Sequence, residues 1–262
     1  MSEQAARTEP VDGTVDWIQP IKAPRAFEEI LEQLEHALLT GRLAAGGRLP
    51  PERDFAAALG VSRASVREAI RVMEALGLVD INRGPTGGAV LRSEPGNAFA
   101  EILRLHLALG HYSWAFIIEL RTILESWSFA RAAERADELL LVELSALLTR
   151  MADPAVDPSK FLELDMAFHS RVVSASDNPL VAGILEGCSA VIRKGMFEGI
   201  TAGAWPETAR RLIDDHLELY ELVARGEADA ASLGVREHIR RWDPRAQATE
   251  PGSTAVEDAK TP

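Results

Sequence analysis

The stretch LPPERDFAAALGVSRASVREAI, residues Leu49 to Ile70, decides the fold of the N-terminal part of the chain. It predicts one helix from Glu52 to Leu59, ended by Gly60, and a second from Arg63 to about Leu76, for which Ser62 is a good N-cap. An amphipathic helix precedes this pair, and two short β-like runs around a Gly/Pro turn follow it. Three helices and a hairpin in this order predict a winged helix-turn-helix domain.

The outer side of the second helix is basic. Arg63, Arg67 and Arg71 recur every four residues opposite an apolar stripe, so their guanidinium groups would share one side of a helix that fits the DNA major groove. Ser62 and Ser65 near its N-terminus can bond phosphate oxygens, where the helix dipole also favours anions. The alternative is an ordinary solvated surface on which glutamates pair with these arginines. The order of helices and hairpin favours a DNA reader.

The hairpin and the local charge also indicate DNA. Arg83 and the turn that begins at Gly84 would form a wing able to approach the DNA backbone or minor groove. From Arg42 to Arg92 there are eight arginines and five acids, a net charge of +3, whereas the whole chain carries −12. A locally basic module on an acidic chain predicts one anionic partner, held by one domain.

The rest of the chain is predicted to be helical, which makes the fold class mostly α. We predict a disordered arm over residues 1–20, the winged helix-turn-helix domain over 21–93, an all-α helical-bundle domain over 97–243 and a disordered tail over 244–262. The bundle should contain six or seven helices between Phe99 and Trp242, with starts signalled by Asp137, Asp157 and Asn178.

Apolar runs, the N-terminal residues and the cysteine content indicate the cellular compartment. The chain contains no run of about 18 apolar residues, so no membrane span is predicted. The N-terminus has no apolar signal core, so no export is expected. A single cysteine, Cys188, excludes an intramolecular disulfide and suits a reducing cytoplasm.

Four polar residues interrupt predicted apolar helix faces. Asp165 and His169, four residues apart, share the inner face of one helix, and His216 and His238 lie on the inner faces of two later helices. A single core histidine is usually just hydrogen-bonded, but each unpaired buried polar group costs about 1–3 kcal/mol. One convergent ligand set would satisfy all four groups. One carboxylate and three imidazoles suit a divalent metal ion, with Zn²⁺, Ni²⁺ or Mn²⁺ as the leading choices.

An arginine lies near the predicted inner stripe of another helix. The stripe consists of Ile117, Leu120 and Leu124. Arg121 lies near it, where its guanidinium group could clamp a carboxylate ligand. Pairing between Arg121 and Glu125, four residues further along, is the alternative, and the sequence leaves both open.

The segment from Leu49 to Ile70 closely resembles the N-terminal domain of GntR-family bacterial transcription regulators. The resemblance implies contacts to operator phosphates and bases from Arg53, Arg63 and Arg67, with Ser62 and Ser65 assisting and with Arg83 and Gly84 in the wing.

Residues from about 97 to 242 are similar to the all-helical FCD ligand-binding domain of the FadR-type branch of that family. The matching marks are Glu119-Leu-Arg-Thr-Ile-Leu-Glu125, Asp165-Met-Ala-Phe-His169, Asp177-Asn-Pro179, His216 and His238. Many members of this branch bind a metal through these Asp and His positions. The resemblance therefore implies metal ligation by Asp165, His169, His216 and His238, and an organic or sugar acid as effector.

The leading hypothesis is a cytoplasmic, homodimeric and metabolite-responsive transcription regulator, most simply a repressor. Its partners would be a roughly palindromic double-stranded DNA operator and a small carboxylate metabolite, with no membrane partner. One alternative is a helical metalloenzyme; its nearest candidate base lies in Asp214-Asp215-His216, but a helix surface explains both aspartates, and no catalytic residue is assigned. The other is a DNA-binding dimer with an inert helical domain.

Overall fold

The computed structural model of the chain describes residues 25–84, 88–94, 96–200 and 205–243. The predicted N-terminal arm, the predicted C-terminal tail and the wing turn at residues 85–87 lie outside the described residues. The chain divides into two compact units, residues 1–93 and 94–262, and each is described by itself.

The N-terminal unit is a winged helix-turn-helix, as predicted. Its elements in chain order are α1 (Arg25–Leu39), α2 (Glu52–Leu59), α3 (Arg63–Ala75), β1 (Val79–Asn82) and β2 (Gly88–Leu91). The two strands pair antiparallel, with Val79 opposite Leu91 and Asn82 opposite Gly88. The predicted hairpin is thereby confirmed.

The turn between α2 and α3 has the predicted chemistry. Gly60 ends α2 in the left-handed region at φ 67°, which glycine adopts without steric cost. Ser62 caps α3, because its hydroxyl oxygen accepts a hydrogen bond from the Ser65 backbone N–H at 3.1 Å. The side of α3 that faces the core of this unit consists of Val66, Ala69, Ile70 and Met73.

The C-terminal unit is an all-α bundle. Seven helices lie among its described residues: α4 (Ala98–Ala108), α5 (Trp114–Glu134), α6 (Glu138–Met151), α7 (Pro158–Ala175), α8 (Pro179–Gly199), α9 (Trp205–Ala224) and α10 (Ala228–Arg241). Three helices begin where the sequence predicts, since the side chains of Asp137, Asp157 and Asn178 accept hydrogen bonds from first-turn N–H groups.

Helix α5 contacts α7, α8, α9 and α10 and so lies at the centre of this unit. The surrounding core is apolar, with Phe129 on α5, Phe168 on α7 and Val235 on α10 fully buried. Polar residues on these same helices are therefore enclosed on several sides. None of the described helices is long and apolar enough to cross a membrane.

A glycine allows α8 to approach the start of α5 closely. A Cβ atom at Gly195 would lie 2.0 Å from the Trp114 ring, which is only 7% exposed. The indole N–H of Trp114 donates to Asp243 at 2.8 Å, which holds the ring in place. Gly183 on the same helix is less constrained, because its added Cβ would lie 3.3 Å from the half-exposed ring of Phe99.

We expect Gly195→Ala to reduce the free energy of unfolding by about 1–3 kcal/mol, because the held indole cannot move aside. Gly183→Ala is the matched control, since Phe99 can shift and alanine adds up to about 1 kcal/mol of helix propensity. Urea unfolding followed by far-ultraviolet circular dichroism measures both. Equal stability of the two variants would contradict the tight α5–α8 contact.

Candidate functional site

The outer side of α3 is exposed and basic. Arg63, Arg67 and Arg71 all lie on the solvent side of the helix. Arg67 is held from α2, since its Nε and Nη2 donate to Glu52 Oε2 at 3.0 and 2.8 Å. The hydrogen bond from Arg67 lowers the pKa of Glu52. No described carboxylate pairs with Arg63 or Arg71, so both can meet an external anion.

The other predicted DNA contacts lie around this helix. Ser62 and Ser65 are bonded to each other, with their hydroxyl oxygens 2.9 Å apart at the N-terminus of α3. Arg53 on α2 is exposed and lies 2.9 Å from Asp54. Arg83 and Gly84 are exposed directly after β1. All seven predicted DNA contacts therefore belong to the described N-terminal unit.

The four polar residues predicted on apolar faces come together in the core of the C-terminal unit. Asp165 and His169 from α7, His216 from α9 and His238 from α10 each offer a ligand atom, and these atoms all lie within 4.8 Å of one another. Their exposed fractions are 0–3%. We call these four residues the histidine cluster.

The Nδ1 atom of each ring in the cluster lies near an acceptor. His169 Nδ1 is 2.6 Å from Glu125 Oε2, and His216 Nδ1 is 2.6 Å from the Leu212 carbonyl oxygen. His238 Nδ1 is 3.5 Å from Asp215 Oδ2. At His169 and His216 the acceptor favours the proton on Nδ1 and leaves Nε2 with its lone pair, whereas His238 Nδ1 makes no hydrogen bond among the described residues.

The inner side of the cluster lacks hydrogen-bond partners. Both carboxylate oxygens of Asp165, and the Nε2 atoms of His169 and His216, are buried without one among the described residues. His216 Nε2 nevertheless lies 3.0 Å from Asp165 Oδ1. If Nδ1–H of a neutral His216 donates to the Leu212 carbonyl, Nε2 turns a lone pair towards Asp165, and either a bound cation or a second proton on Nε2 would resolve that approach.

Burial and neighbouring charges shift the pKa values of two buried carboxyl groups and of His238. Burial opposes ionisation of Glu125, but the neighbouring Arg121 and His169 outweigh it and lower its pKa to about 2. Burial likewise opposes ionisation of Asp165, yet His216, His169 and Arg121 lower its pKa well below the ordinary value. Burial lowers the pKa of His238 to about 3 despite the nearby Asp215. Near neutral pH these carboxylates are ionised and His238 is neutral.

Arg121 makes the ion pair that the sequence left open. Its Nε donates to Glu125 Oε1 at 2.7 Å, so Arg121, Glu125 and His169 form a buried chain. Its Nη1 lies 3.7 Å from Met196 Sδ, and its Nη2 has no hydrogen-bond partner among the described residues. Leu120, expected on the inner stripe, is instead 37% exposed, because it points away from Arg121 and the core.

Two residues that support the cluster were not predicted in that role. Glu125 was considered only as a partner of Arg121. Asp215 was assigned to a helix surface, which is wrong: its side chain is 14% exposed and accepts from Trp242 Nε1 at 2.7 Å as well as lying beside His238. The sequence around Asp215 does not show its role, because its partners lie 23 or more residues further along, on α10 or directly after it.

A cavity of about 380 Å³ reaches the cluster from the surface between α4, α7 and α8. His169 and Glu125 belong to its lining, which also contains two arginines, Arg104 and Arg193, and two further acids, Glu163 and Glu186. Its volume is in the range of small-molecule pockets. A small ligand can therefore reach the edge of the histidine cluster.

Comparison with known proteins gives the family. Residues 26–86 match the model of bacterial regulatory proteins of the gntR family, and residues 117–241 match the FCD domain. HTH-type transcriptional regulator Mce2R of Mycobacterium tuberculosis is 34% identical over 165 residues, 61% of this chain and 67% of that protein. HTH-type transcriptional regulator LutR of Bacillus subtilis is 28% identical over 203 residues, 76% of this chain and 91% of that protein.

This chain belongs to the GntR family. A solved structure, Streptococcus agalactiae GntR, shares the fold with a TM-score of 0.55 at 23% identity, over 84% of this chain and 99% of that chain. As a GntR-family protein with an FCD domain, it is a DNA-binding transcription regulator. The metalloenzyme alternative is not supported, because the matched family and the similar proteins are transcription regulators.

We expect Arg63→Ala in this GntR-family regulator to weaken specific operator binding by about 1–3 kcal/mol, as for loss of a good base contact. Arg236→Ala removes the same charge from an exposed position on α10 and is the matched control. Binding titrations at one fixed salt concentration compare the two. Equal affinities would remove Arg63 from the DNA interface.

Proposed function

We propose that this GntR-family regulator is a homodimeric repressor that senses a small carboxylate metabolite at a divalent metal site in its FCD domain. The approach of His216 Nε2 to Asp165 Oδ1, at 3.0 Å in a fully buried site, carries the proposal. A buried carboxylate that faces imidazole lone pairs is unfavourable by itself. A bound cation removes the conflict.

The donor set fits such an ion. The proposed ligands are the carboxylate of Asp165 and the imidazoles of His169, His216 and His238. One oxygen and three nitrogen donors suit Zn²⁺, Ni²⁺ or Mn²⁺. Glu125, the Leu212 carbonyl and Asp215 would orient the rings, as supporting partners of metal-bound histidines commonly do. When bound, the metal would supply Lewis acidity and positive charge for a carboxylate ligand.

The effector is proposed to enter the 380 Å³ cavity beside His169. A carboxylate is the proposed chemistry, since the arginines Arg104 and Arg193 line the cavity, although Glu163 lies 3.9 Å from Arg193 and also lines it. Arg121 holds Glu125 and does not line the cavity itself. Its Nη2, which has no hydrogen-bond partner among the described residues, is the proposed donor for an effector that reaches past Glu125. Organic and sugar acids belong to this class.

The DNA half is proposed to read a roughly palindromic operator with one α3 helix per half-site. Arg63 and Arg67 would contact bases and phosphates, and Arg53, Ser62, Ser65, Arg83 and Gly84 would contact the backbone and the adjacent groove. Because the proposed regulator acts on operator DNA, its proposed location is the cytoplasm. Effector binding would release DNA only to the extent that the effector prefers the DNA-incompetent state.

We expect His216→Ala to lose stoichiometric metal, because its Nε2 is one of four proposed ligands. His106→Ala, an exposed histidine on α4, should keep the metal. Elemental analysis with native mass spectrometry measures the metal and any small molecule retained by each purified variant. Unchanged metal content in His216→Ala, or no metal in the wild type, would favour the inert-domain alternative.

We expect Asp215→Asn to weaken metal binding by about 10- to 100-fold, because His238 loses its charged supporting partner. Asp214→Asn is the matched control, since the neighbouring carboxylate is exposed and contacts none of the four residues. Competition with a metal-binding dye gives both affinities. If the two variants bind equally well, Asp215 does not support the site.

A further inference from the structure

The C-terminal end of α10 presents two ring nitrogen atoms to one carboxylate oxygen on α9. Asp215 Oδ2 accepts a hydrogen bond from Trp242 Nε1 at 2.7 Å and lies 3.5 Å from His238 Nδ1. His238 and Trp242 are four residues apart, a separation at which side chains are neighbours on a helix surface. A proposed metal ligand and a tryptophan therefore share one acceptor.

Both oxygens of Asp215 are engaged, but by donors of different kinds. Arg241 Nη1 donates to Oδ1 at 2.5 Å from a side chain that is 55% exposed. Trp242 is half-buried, and it packs against the apolar core of the bundle. Its backbone N–H also donates to the His238 carbonyl oxygen at 3.1 Å. The indole is thus the donor that is fixed in position, whereas the guanidinium group is largely in solvent.

The distance between Asp215 Oδ2 and His238 Nδ1 is too long for a hydrogen bond. Such a bond joins atoms about 2.7–3.2 Å apart, so a shift of a few tenths of an ångström would form it. A carboxylate that accepts from the Nδ1–H of a metal-ligating histidine orients the ring and raises its basicity. Asp215 can act in this way only while its Oδ2 stays next to His238.

We propose that Trp242 is a positioning residue of the metal site, because its indole N–H holds Asp215 Oδ2 within reach of His238. Without that N–H, Oδ2 keeps only the long contact to His238. The carboxylate, which is 14% exposed, can then rotate towards Arg241 and water. This inference rests on the metal site in the proposed function and adds a residue that acts through Asp215.

Trp205 at the start of α9 provides a matched comparison. It is also half-buried, and its ring packs edge-on against Phe161 with ring centroids 5.2 Å apart. Its Nε1 donates to the Val156 carbonyl oxygen at 3.3 Å, away from the histidine cluster. Replacing either tryptophan by phenylalanine removes one N–H and keeps an aromatic ring. The two substitutions differ in whether the lost hydrogen bond ends at Asp215.

The first test measures the Zn²⁺ affinity of the full chain by competition with a metal-binding dye. Trp242→Phe should weaken Zn²⁺ binding about three- to tenfold, as expected for the loss of one neutral hydrogen bond. Trp205→Phe should bind Zn²⁺ as the wild type does. Circular dichroism and thermal unfolding check that both variants are folded and compare their stabilities.

The second test asks whether Trp242 acts through Asp215. In an Asp215→Ala background, Trp242→Phe should have no further effect on Zn²⁺ affinity, because the acceptor of the indole N–H is already gone. Equal effects of Trp242→Phe in the two backgrounds would show that the ring only supports the bundle. That result would overturn the proposal.

A third measurement uses the unmodified chain. Indole N–H signals are resolved by nuclear magnetic resonance after ¹⁵N labelling of tryptophan, and each is assigned by its absence in the corresponding phenylalanine variant. Addition of Zn²⁺ should shift the Trp242 signal, because Asp215 Oδ2 then also accepts from His238, and should leave the Trp205 signal in place. A Trp242 signal that does not move would overturn the coupling.

The outcomes separate this inference from the metal site itself. A wild-type chain that binds none of Zn²⁺, Ni²⁺ and Mn²⁺ overturns both. A wild type that binds Zn²⁺, with Trp242→Phe binding as tightly as Trp205→Phe, overturns the role of Trp242 and leaves the metal site standing.

Discussion

The FCD unit encloses a carboxylate among three imidazoles, and the rest of its architecture is arranged around that constraint. Asp165 is fully buried, and an isolated buried charge of this kind is strongly unfavourable. Three helices nevertheless converge on it, each contributing apolar side chains next to its polar one. Part of this cost is offset by neighbours, since His216, His169 and Arg121 lower the pKa of the Asp165 carboxyl group. The proposed metal would add positive charge at the same place.

A second layer of contacts lies behind the three imidazole rings of the histidine cluster. Each histidine has an acceptor near Nδ1, but the three acceptors differ: a carboxylate in an ion pair, a backbone carbonyl and a partly exposed carboxylate. The Arg121–Glu125 pair is buried, so its geometry is sensitive to any new charge nearby. Asp215 is closer to solvent and shares its charge with Arg241 and Trp242. The supports on α5 and α9 can therefore respond differently to the same ligand.

Local sequence patterns predicted most of the fold and the inner residues of the cluster, for a definite physical reason. Helix caps and apolar periodicity are properties of neighbouring residues, so Ser62, Asp157 and Asn178 marked the starts of helices that the structure contains. A polar residue on an apolar face is also visible locally. The side of α5 that contacts the core was misjudged at Leu120, because this helix has apolar residues on its exposed side and charged residues on its buried side. Asp215 was missed because its partners come from another helix.

The two sides of α5 differ in chemistry: Arg121 and Glu125 are buried on one, and apolar side chains such as Ile123 are exposed on the other. In the N-terminal unit Glu52 braces Arg67, and Ser62 caps α3. In the proposed dimer the effector would act from the FCD unit, in which α5 is the central helix. A ligand that alters the Arg121–Glu125–His169 chain would act on this central helix, and packed helices shift between discrete arrangements rather than deform continuously.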